Sequence, residues 1–329
     1  MLPLFASGGP LDPLLILAAA LALDALVGDP PWLWRRLPHP VALIGRLIDR
    51  LERKLNRAWR PAWDRRLRGA LVAVGLTLAA IGIGMAVTEL RRHWAWGWAV
   101  ELLLTWTLLA GRSLFAHVRA VATALDGGGL AAGREAVGRI VGRDPASLDV
   151  HGVARAAIES CAENFADAVV APVVWYLLFG FPGALAYKTI NTLDSMIGHP
   201  DQRYGDFGMV AARLDDVANL LPARLAAALL ALAALFVPGG RPWAAWRVML
   251  ADHGHHRSPN SGWPEAAAAG ALGLALAGPR RYAGHAVQEK WIGDGRAMAT
   301  VTDIRRALVL LAVGCLLTFG LVVGVMAVN

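Results

Sequence analysis

Residues 307–328 read ALVLLAVGCLLTFGLVVGVMAV and contain no charged side chain. A helix of this length extends about 33 Å, at roughly 1.5 Å per residue. That is enough to cross the hydrocarbon core of a bilayer, which is about 30 Å thick. The stretch therefore predicts a transmembrane helix at the end of the chain, which we place at 306–328.

The rest of the chain has a similar apolar character. Of its 329 residues 56% are hydrophobic and 17% are charged, with a mean hydropathy of +0.46, whereas soluble domains are about 25% charged. Four more long apolar runs lie at 14–26, 69–88, 98–109 and 222–237. We therefore expect an all-α polytopic integral membrane protein, a single domain over 1–329 with six to eight membrane segments. A soluble enzyme is excluded.

A basic segment separates the first two apolar runs. Residues 29–68 carry eleven Lys or Arg and four Asp or Glu. The positive-inside rule places this loop in the cytoplasm. Apolar residues recur at helical spacing from Val41 to Leu55 with arginines between them, which predicts a basic amphipathic helix lying on anionic lipid headgroups. Basic and aromatic residues are not interleaved as on a single-strand binding surface, so no nucleic-acid partner is expected.

The middle of the chain combines a polar segment with an interrupted apolar one. We expect 112–221 to be the catalytic segment on the cytoplasmic side, mostly helical and polar up to residue 168. Residues 169–187 are apolar but contain Pro172, Gly180, Pro182 and Gly183. Two half-helices or a re-entrant hairpin fit this composition better than one straight span.

Negative charge is concentrated between residues 159 and 216. This part of the chain holds eight of the 25 acidic residues and only three basic ones. Carboxylates that share a small site repel each other, so a divalent cation is the usual means of neutralising them. The acidic residues proposed to bind metal are Glu159, Glu163, Asp167, Asp194, Asp215 and Asp216.

The spacing of these residues supports a site for Mg²⁺. Glu159, Glu163 and Asp167 are four residues apart and fall within a stripe about 80° wide on a helix. Amide side chains accompany them, namely Asn164 beside the stripe, Asn191 three residues before Asp194, and Asn219 four residues after Asp215. Mg²⁺ prefers oxygen ligands of this kind, shared with waters and substrate phosphates. The alternative is that the acids form ion pairs on a solvated helix, although bases at matching offsets are scarce.

Four basic residues are candidates for binding phosphate or carboxylate groups. Lys188 stands out because the chain has 29 Arg but only 3 Lys, and a compact ammonium is a good point-charge ligand for phosphate. It could equally be an interfacial lysine that extends toward water. Arg203, Arg213 and Arg224 could bind phosphate or simply pair with neighbouring aspartates.

Familiar nucleotide and hydrolase motifs are absent from the sequence. It contains no GxxxxGK[ST], no GxGxxG after a strand and no GxSxG. The histidines of 253–256 lie in a Gly-, Pro- and Ser-containing loop and are more typical of a surface loop than of a metal site. Glu101 lies within an apolar run, where an ionisable residue is a functional candidate.

Five stretches give the chain a family resemblance. They are GDPPWLWRRLPHPVALIGRLI (28–48), ESCAENFADAVVAP (159–172), ALAYKTINTLDSMIGH (184–199), RYGDFGMVAARLDDVANLLPARL (203–225) and SPNSGWPEAAAAGALG (258–273). In these stretches, and in their order, the chain resembles the adenosylcobinamide-phosphate synthases of cobalamin biosynthesis, the CobD/CbiB type. The resemblance runs over nearly the whole chain, and its three middle stretches are the most specific.

The resemblance implies a membrane enzyme that uses ATP and Mg²⁺ to join adenosylcobyric acid to aminopropanol phosphate or a related amino alcohol. An acyl phosphate is the expected intermediate. Glu159, Glu163, Asp167, Lys188 and Asp194 are the expected catalytic residues. The residues expected to bind substrate or nucleotide are Asn164, Asn191, Arg203, Arg213, Asn219, Arg224 and, from family-pattern positions, His39, Asn260 and Glu265.

The implied location is a prokaryotic cytoplasmic membrane, with several passes and the active site facing the cytoplasm. There the carboxylates from the separate stretches are expected to converge on the cations that carry a triphosphate. Association with other membrane enzymes of the same pathway is compatible with this picture. Two other functions remain open from the residues alone: a Mg-dependent membrane prenyl- or phosphoalcohol transferase, and a transporter whose acidic helix lines a pathway.

Overall fold

The computed structural model describes residues 11–142, 145–282, 285–287 and 290–328. These residues are mainly helical. In chain order the helices are α1 (Pro13–Val27), α2 (Pro31–Trp34), α3 (Pro40–Leu55), α4 (Ala62–His93), α5 (Gly97–Leu108), α6 (Gly111–Val137), α7 (Val150–Phe165), α8 (Ala171–Ile197), α9 (Met209–Ala218), α10 (Leu220–Ala233), α11 (Pro242–Asp252), α12 (Gly262–Leu272) and α13 (Val301–Val328). The predicted all-α membrane architecture is confirmed.

The chain divides into two compact units. The first unit contains the chain up to Ala110, Ala171–Asn219 and the chain from Leu321 onward. The second unit contains Gly111–Val170 and Leu220–Gly320. We expected a single domain over 1–329, whereas the contacts define two units, each formed by separate stretches of the chain.

Among the described residues, four helical stretches are long and apolar enough to cross a membrane. They are Ala62–His93, Gly97–Val137, Val150–Ile197 and Val301–Val328. A fifth candidate is the pair Met209–Ala218 and Leu220–Phe236, and the apolar helix Pro13–Val27 is shorter, with 15 residues. The count is below the expected six to eight because two of the apolar runs lie in short helices, Pro13–Val27 with 15 residues and Gly262–Leu272 with 11, and the run 222–237 belongs to the bent pair.

The predicted amphipathic helix is present as α3. Its Ile44, Ile48 and Leu51 pack in a cluster of the first unit with residues of α4 and α8, among them Val72 and Leu193. Ile48 is fully buried there. The expectation that this apolar face lies on lipid headgroups is therefore wrong for these residues, because the protein's own helices cover them.

The predicted interruption in 169–187 lies at Gly180. This residue has φ 66° and ψ −160°, a non-helical conformation inside α8, and Pro182 follows it. Glycine adopts positive φ without a steric penalty, so it is the residue at which the helix can break. A Cβ at Gly84 of α4 would lie only 2.5 Å from the Cα of Pro182, so the two helices approach closely beside the break.

The second unit contains helices that are rich in alanine and closely packed. Every residue of α12 except the half-buried Trp263 is buried, and a Cβ at Gly270 would lie 2.5 Å from the backbone oxygen of Ala244 on α11. Between α12 and α13 the chain forms four short strands that the sequence did not predict. They are β1 (Leu276–Ala277), β2 (Arg280–Tyr282), β3 (His285–Val287) and β4 (Trp291–Ile292), paired antiparallel as β1 with β4 and β2 with β3.

Candidate active site

The first unit brings five polar residues of α8 and the α9 end together. We call Tyr187, Asn191, Asp194, Asp215 and Asn219 the aspartate cluster. Asn219 donates from Nδ2 to Asp215 Oδ2 at 3.0 Å, and Asn191 Nδ2 lies 3.5 Å from Asp215 Oδ1. Tyr187 donates its hydroxyl proton to Asn219 Oδ1 at 3.0 Å. The Asp194 carboxylate is close enough to Asp215 for the two charges to interact.

Local backbone geometry fixes these side chains. Tyr187 and Asn219 are almost fully buried, with 1% and 2% of their surfaces exposed. A Cβ at Gly198 would lie 1.9 Å from Asp194 Oδ1, so only glycine leaves room for that carboxylate in this position. Trp175 Nε1 donates to the carbonyl oxygen of Ala218 at 3.0 Å, which ties the end of α9 to α8.

Two further predicted residues of α9 pair with each other. Arg213 Nη1 lies 3.0 Å from Asp216 Oδ2, and the Arg213 side chain is 79% exposed. This is the ion pair of the alternative interpretation, and surface pairs of this type contribute little to stability. Lys188 is half-buried on α8, one residue after Tyr187.

In the second unit, the predicted acidic stripe is part of a longer polar face of α7. Its members are spaced four residues apart, and each contacts a point in 261–299. His151 Nδ1 lies 2.8 Å from the Ala299 carbonyl oxygen, and Arg155 donates to the carbonyl oxygen of Ala297. Glu159 Oε1 accepts from the backbone N–H of Ala277 at 2.8 Å. Glu163 Oε1 accepts from the Ser261 hydroxyl at 2.9 Å.

The Glu159 contact supports an unusual backbone conformation. Ala277 has φ 56° and is the one non-glycine residue with positive φ in the described part of the chain. A buried backbone N–H without a partner is costly, and Glu159, which is 5% exposed, supplies the partner. This role for Glu159 was not visible in the sequence, because the two residues are 118 positions apart.

The stripe continues from Glu163 into a wider helical turn. Asn164 donates from Nδ2 to the carbonyl oxygen of Ser160 at 2.9 Å. Asp167 lies in a π-helical turn, Ala166–Val170, and is half-buried. Single π turns inside α-helices occur frequently at functional sites, so this turn adds a structural signal to the sequence prediction for Asp167.

Predicted substrate-binding residues of the SPNSGWPE stretch lie together in the second unit. Arg224 Nη1 lies 3.4 Å from Asn260 Oδ1, and the Arg224 guanidinium is 4.7 Å from the centre of the Trp263 ring. Asn260 and Glu265 are buried, and His256 Nε2 lies 3.9 Å from Glu265 Oε1.

The loop histidines have separate contacts. The His253 ring stacks on Trp263 at 3.9 Å, and His255 Nδ1 lies 2.8 Å from the Trp291 carbonyl oxygen.

Arg203 and His39, also predicted to bind substrate, have well-defined partners in the first unit. Arg203 donates to Glu52 through two bonds, Nε to Oε1 at 3.0 Å and Nη2 to Oε2 at 2.7 Å. Burial alone would raise the pKa of Glu52, but the hydrogen bonds from Arg203 and Asn56 outweigh it and hold that pKa below its ordinary value. His39 Nδ1 accepts from the N–H of Val41 at the start of α3.

The structure thus sorts the predicted metal ligands into two sets. Asp194, Asp215 and Asp216 lie in the first unit, and Glu159, Glu163 and Asp167 lie in the second. Within the described part of each unit, no group of three or more His, Cys, Asp or Glu side chains is arranged to hold a metal ion. Tyr187 and Ser261 were missed by the sequence analysis because single hydroxyl groups carry no spacing signal, and His256 was set aside there as a surface-loop histidine.

Comparison with known proteins identifies the family. The family model described as CobD/Cbib protein matches residues 17–311. A protein of Sinorhizobium fredii (strain NBRC 101917 / NGR234) named "Cobalamin biosynthesis protein CobD" is 51% identical over 304 residues, which cover 92% of this chain and 93% of that protein. Proteins with the same name from Rhizobium meliloti (strain 1021) and Brucella suis biovar 1 (strain 1330) are each 49% identical. They cover 92% and 94% of this chain, and 93% and 96% of their own lengths. No solved structure matches. The chain belongs to the CobD/CbiB family.

Proposed function

We propose that this protein is a membrane enzyme of cobalamin biosynthesis that joins adenosylcobyric acid to aminopropanol phosphate, or a related amino alcohol, using ATP and Mg²⁺. The observation that carries the proposal is the match to the family over residues 17–311, together with relatives of about half identity named for cobalamin biosynthesis. The aspartate cluster gives the proposal a chemical basis, because it combines paired carboxylates with amide groups in the first unit.

The reaction requires an activated acid. A carboxylate and an amine do not condense favourably in water, so a leaving group must first be attached to the acid. We propose that the γ-phosphoryl group of ATP is transferred to the corrinoid carboxylate oxygen, which yields ADP and an acyl phosphate. The amine nitrogen then attacks the carbonyl carbon, the C–O bond to phosphate breaks, and the amine releases a proton to a nearby base.

The aspartate cluster fits a magnesium-bound nucleotide by its chemistry. Mg²⁺ in such sites takes one or two protein carboxylates and completes its shell with water and phosphate oxygens. Asp194 and Asp215 provide the carboxylates. Bound Mg²⁺ would neutralise charge on the phosphates during transfer. Asn219 is fixed by Tyr187 and donates to Asp215, which holds that carboxylate in one orientation.

Other residues of the first unit are assigned to the phosphates. Lys188 lies one helical turn before Asn191 on α8, and its ammonium would bind a phosphate oxygen. Arg213 is exposed on α9 and paired with Asp216, so a phosphate would compete with that carboxylate for the guanidinium. Arg203 is held by Glu52 through two bonds, and we assign it to positioning the loop before α9.

In the second unit we assign substrate binding to the face formed by α7 and the SPNSGWPE stretch. Glu163, Asn164 and Asp167 present oxygen and amide groups at the end of α7 and in the π turn. Arg224, Asn260 and Glu265 lie at the second part of this face. The arginine and the amide suit the phosphate and carboxylate groups that the substrates carry.

The proposed location is the bacterial cytoplasmic membrane, with the active site on the cytoplasmic side. The basic segment 29–68 supports this orientation, since Lys and Arg are enriched in cytoplasmic loops. A cytoplasmic site also has access to ATP, and it leaves room for association with other membrane enzymes of the pathway.

The proposal is tested with purified protein in lipid nanodiscs. ATP consumption is measured with the corrinoid acid alone, with the amine alone and with both, in the presence of Mg²⁺. The proposal predicts stoichiometric formation of ADP, phosphate and amide only when both substrates are present. Diphosphate release without ATP would instead identify a phosphoalcohol transferase and overturn the proposal.

A further inference from the structure

The first unit contains a pocket separate from the aspartate cluster. It lies at the end of α4 that is far from the basic segment. It has a volume of about 150 Å³, and its polar lining is concentrated on α4. Thr88, Glu89 and Arg92 form this part of the wall, while the break at Gly180 in α8 provides the opposite side. None of these residues belongs to the aspartate cluster, and the proposed reaction does not use them.

A buried ion pair between Arg91 and Glu101 lines this pocket. Arg91 donates from Nε to Glu101 Oε2 at 3.0 Å, and Tyr176 donates its hydroxyl proton to Glu101 Oε1 at 2.6 Å. All three side chains are buried, with at most 1% exposure. Glu101, a functional candidate in the sequence, is thus one part of a buried ion pair. Such a pair fixes the shape of the pocket without adding net charge.

Two hydrogen-bonding atoms of the pocket wall point to a missing partner. Thr88 Oγ1 and Arg92 Nε are both buried, and within the described residues neither has a hydrogen-bond partner. Buried polar atoms in proteins are nearly always paired, and both residues line the pocket, so these two donors are candidates for hydrogen bonds to a bound ligand. A hydroxyl next to a guanidinium suits a phosphate oxygen.

The pocket continues into an apolar slot of about 350 Å³ between α4 and α8. The slot is lined by Ile81, Trp175 and Ile190, among others, and the two cavities share Met85, Phe179 and Pro182. No polar side chain other than Tyr187 and Trp175 lines the slot, and its α4 residues belong to the apolar run 69–88. The combined shape is an apolar channel with a polar cavity at one end.

The order along α4 matches the order of a phospholipid in a bilayer. Ile81 and Met85 line the apolar slot, and Arg92 lies about 10 Å beyond Met85 along the helix axis. Trp94 and Trp96 follow immediately and are exposed, as is typical of the membrane–water interface. The slot therefore lies at the depth of the acyl chains and the polar cavity at the depth of the headgroups.

The charges of the polar cavity select among headgroups. Arg91 is neutralised by Glu101, and Arg92 Nη1 lies 2.7 Å from Glu89 Oε1. Glu89 is 54% exposed, so its carboxylate can meet a cationic group at the mouth. We propose that this cavity and slot bind one zwitterionic glycerophospholipid, with its phosphate on Arg92 and Thr88, its ammonium on Glu89 and one acyl chain between α4 and α8.

The full-length protein is purified in detergent, stripped of lipid and titrated with phosphatidylethanolamine, phosphatidylglycerol or diacylglycerol, with binding measured by native mass spectrometry. We expect one tight phosphatidylethanolamine site. Phosphatidylglycerol, which lacks the ammonium, should bind at least 5-fold more weakly, and diacylglycerol, which lacks the phosphate, more weakly still. Equal affinity for all three lipids would overturn the proposal.

Three variants and one control locate the site. R92Q and T88V each remove one donor and are expected to weaken phosphatidylethanolamine binding about 10-fold and 3-fold. M85W fills the slot and should reduce binding while leaving the donors in place. R139Q is the control, because Arg139 pairs with Glu135 on the surface of the second unit. If R92Q does not fold, T88V and M85W decide, and wild-type affinity in both would contradict the proposal.

Discussion

The acidic residues of the two units differ in what surrounds them. In the first unit, the carboxylates of Asp194 and Asp215 are close enough for their negative charges to interact. Neutral amide side chains contact Asp215. In the second unit, Glu159 and Glu163 each accept a hydrogen bond from a distant part of the chain. Two like charges held together favour a cation, whereas a carboxylate that already holds a backbone N–H is suited to fixing structure. Similar helical spacing in the sequence thus leads to two different environments.

The largest effect is expected at the aspartate cluster. Asp215→Asn and Asp194→Asn each remove one charge that we assign to the metal. We expect amide synthesis to fall about 100-fold or more, the usual cost of removing a group that stabilises developing charge. The rate is measured in nanodiscs with both substrates and saturating Mg²⁺.

The matched control for these variants is Asp49→Asn. Asp49 is an acidic residue on α3 that pairs with exposed Arg53. Its variant should retain the wild-type rate. If both Asp215→Asn and Asp194→Asn retained wild-type activity, the proposed difference between the acidic residues of the first unit and those of the second would be contradicted.

A smaller effect is expected from Glu159, with a dependence on the replacement. Glu159→Gln retains an oxygen that can accept from the Ala277 N–H, so we expect a rate within about 3-fold of wild type. Glu159→Ala leaves that N–H unpaired at a cost of about 1–3 kcal/mol, and we expect a lower melting temperature and about a 10-fold loss of activity. Both are measured against Mg²⁺ concentration. A Glu159→Gln variant that needs much more Mg²⁺ would show that Glu159 is a metal ligand.

A further effect is expected at Tyr187, whose hydroxyl supports the aspartate cluster. Tyr187→Phe removes the hydroxyl that fixes Asn219, and a hydrogen bond of this kind contributes about 1 kcal/mol. We expect about a 5-fold lower rate and a free energy of unfolding lower by about 1 kcal/mol. Tyr204→Phe, in the loop before α9, is the control. An unaffected Tyr187→Phe rate would show that Asn219 needs no such support.

The smallest effect concerns stability at low pH. The lowered pKa of Glu52 means that the folded protein binds a proton at this residue less readily than the unfolded chain. The Glu52–Arg203 pair therefore stabilises the fold fully above pH 4.5, the ordinary pKa, and this contribution is lost as the pH falls through the lowered value.

Thermal unfolding from pH 7 to pH 3 measures this effect. We expect Glu52→Gln to unfold about 2–4 °C below wild type at pH 7, and the difference to shrink on acidification. Glu135→Gln is the control here, because Glu135 pairs with Arg139 on the surface of the second unit. A difference that grows as the pH falls would contradict the assignment.

Local patterns in the sequence predicted several elements correctly. The apolar periodicity of 41–55 predicted α3, and the glycine and prolines of 169–187 predicted the break at Gly180. Helix α3 and the break at Gly180 both depend on residues that are close together in the sequence. The burial of the apolar face of α3 was not predicted, because a sequence does not distinguish a face that contacts lipid from one that contacts another helix.

The sequence could not predict hydrogen bonds between residues that are far apart in the chain. Glu159 and Ala277 are separated by 118 positions, and Arg203 and Glu52 by 151. No pattern in either local stretch indicates such a contact. The sequence therefore singled out acidic residues as candidates, but it could not separate those that contact the protein backbone from those that lie close to one another.

Measuring metal and nucleotide binding tests most directly whether Asp194 and Asp215 hold the metal-bound nucleotide. Mn²⁺ replaces Mg²⁺, and its electron paramagnetic resonance signal is recorded as ATP and protein are titrated. We predict that wild type and Glu159→Gln bind the Mn²⁺–ATP complex equally well and that the double variant Asp194→Asn/Asp215→Asn does not bind it. Wild-type binding by the double variant, or loss of binding in Glu159→Gln alone, would contradict the central claim.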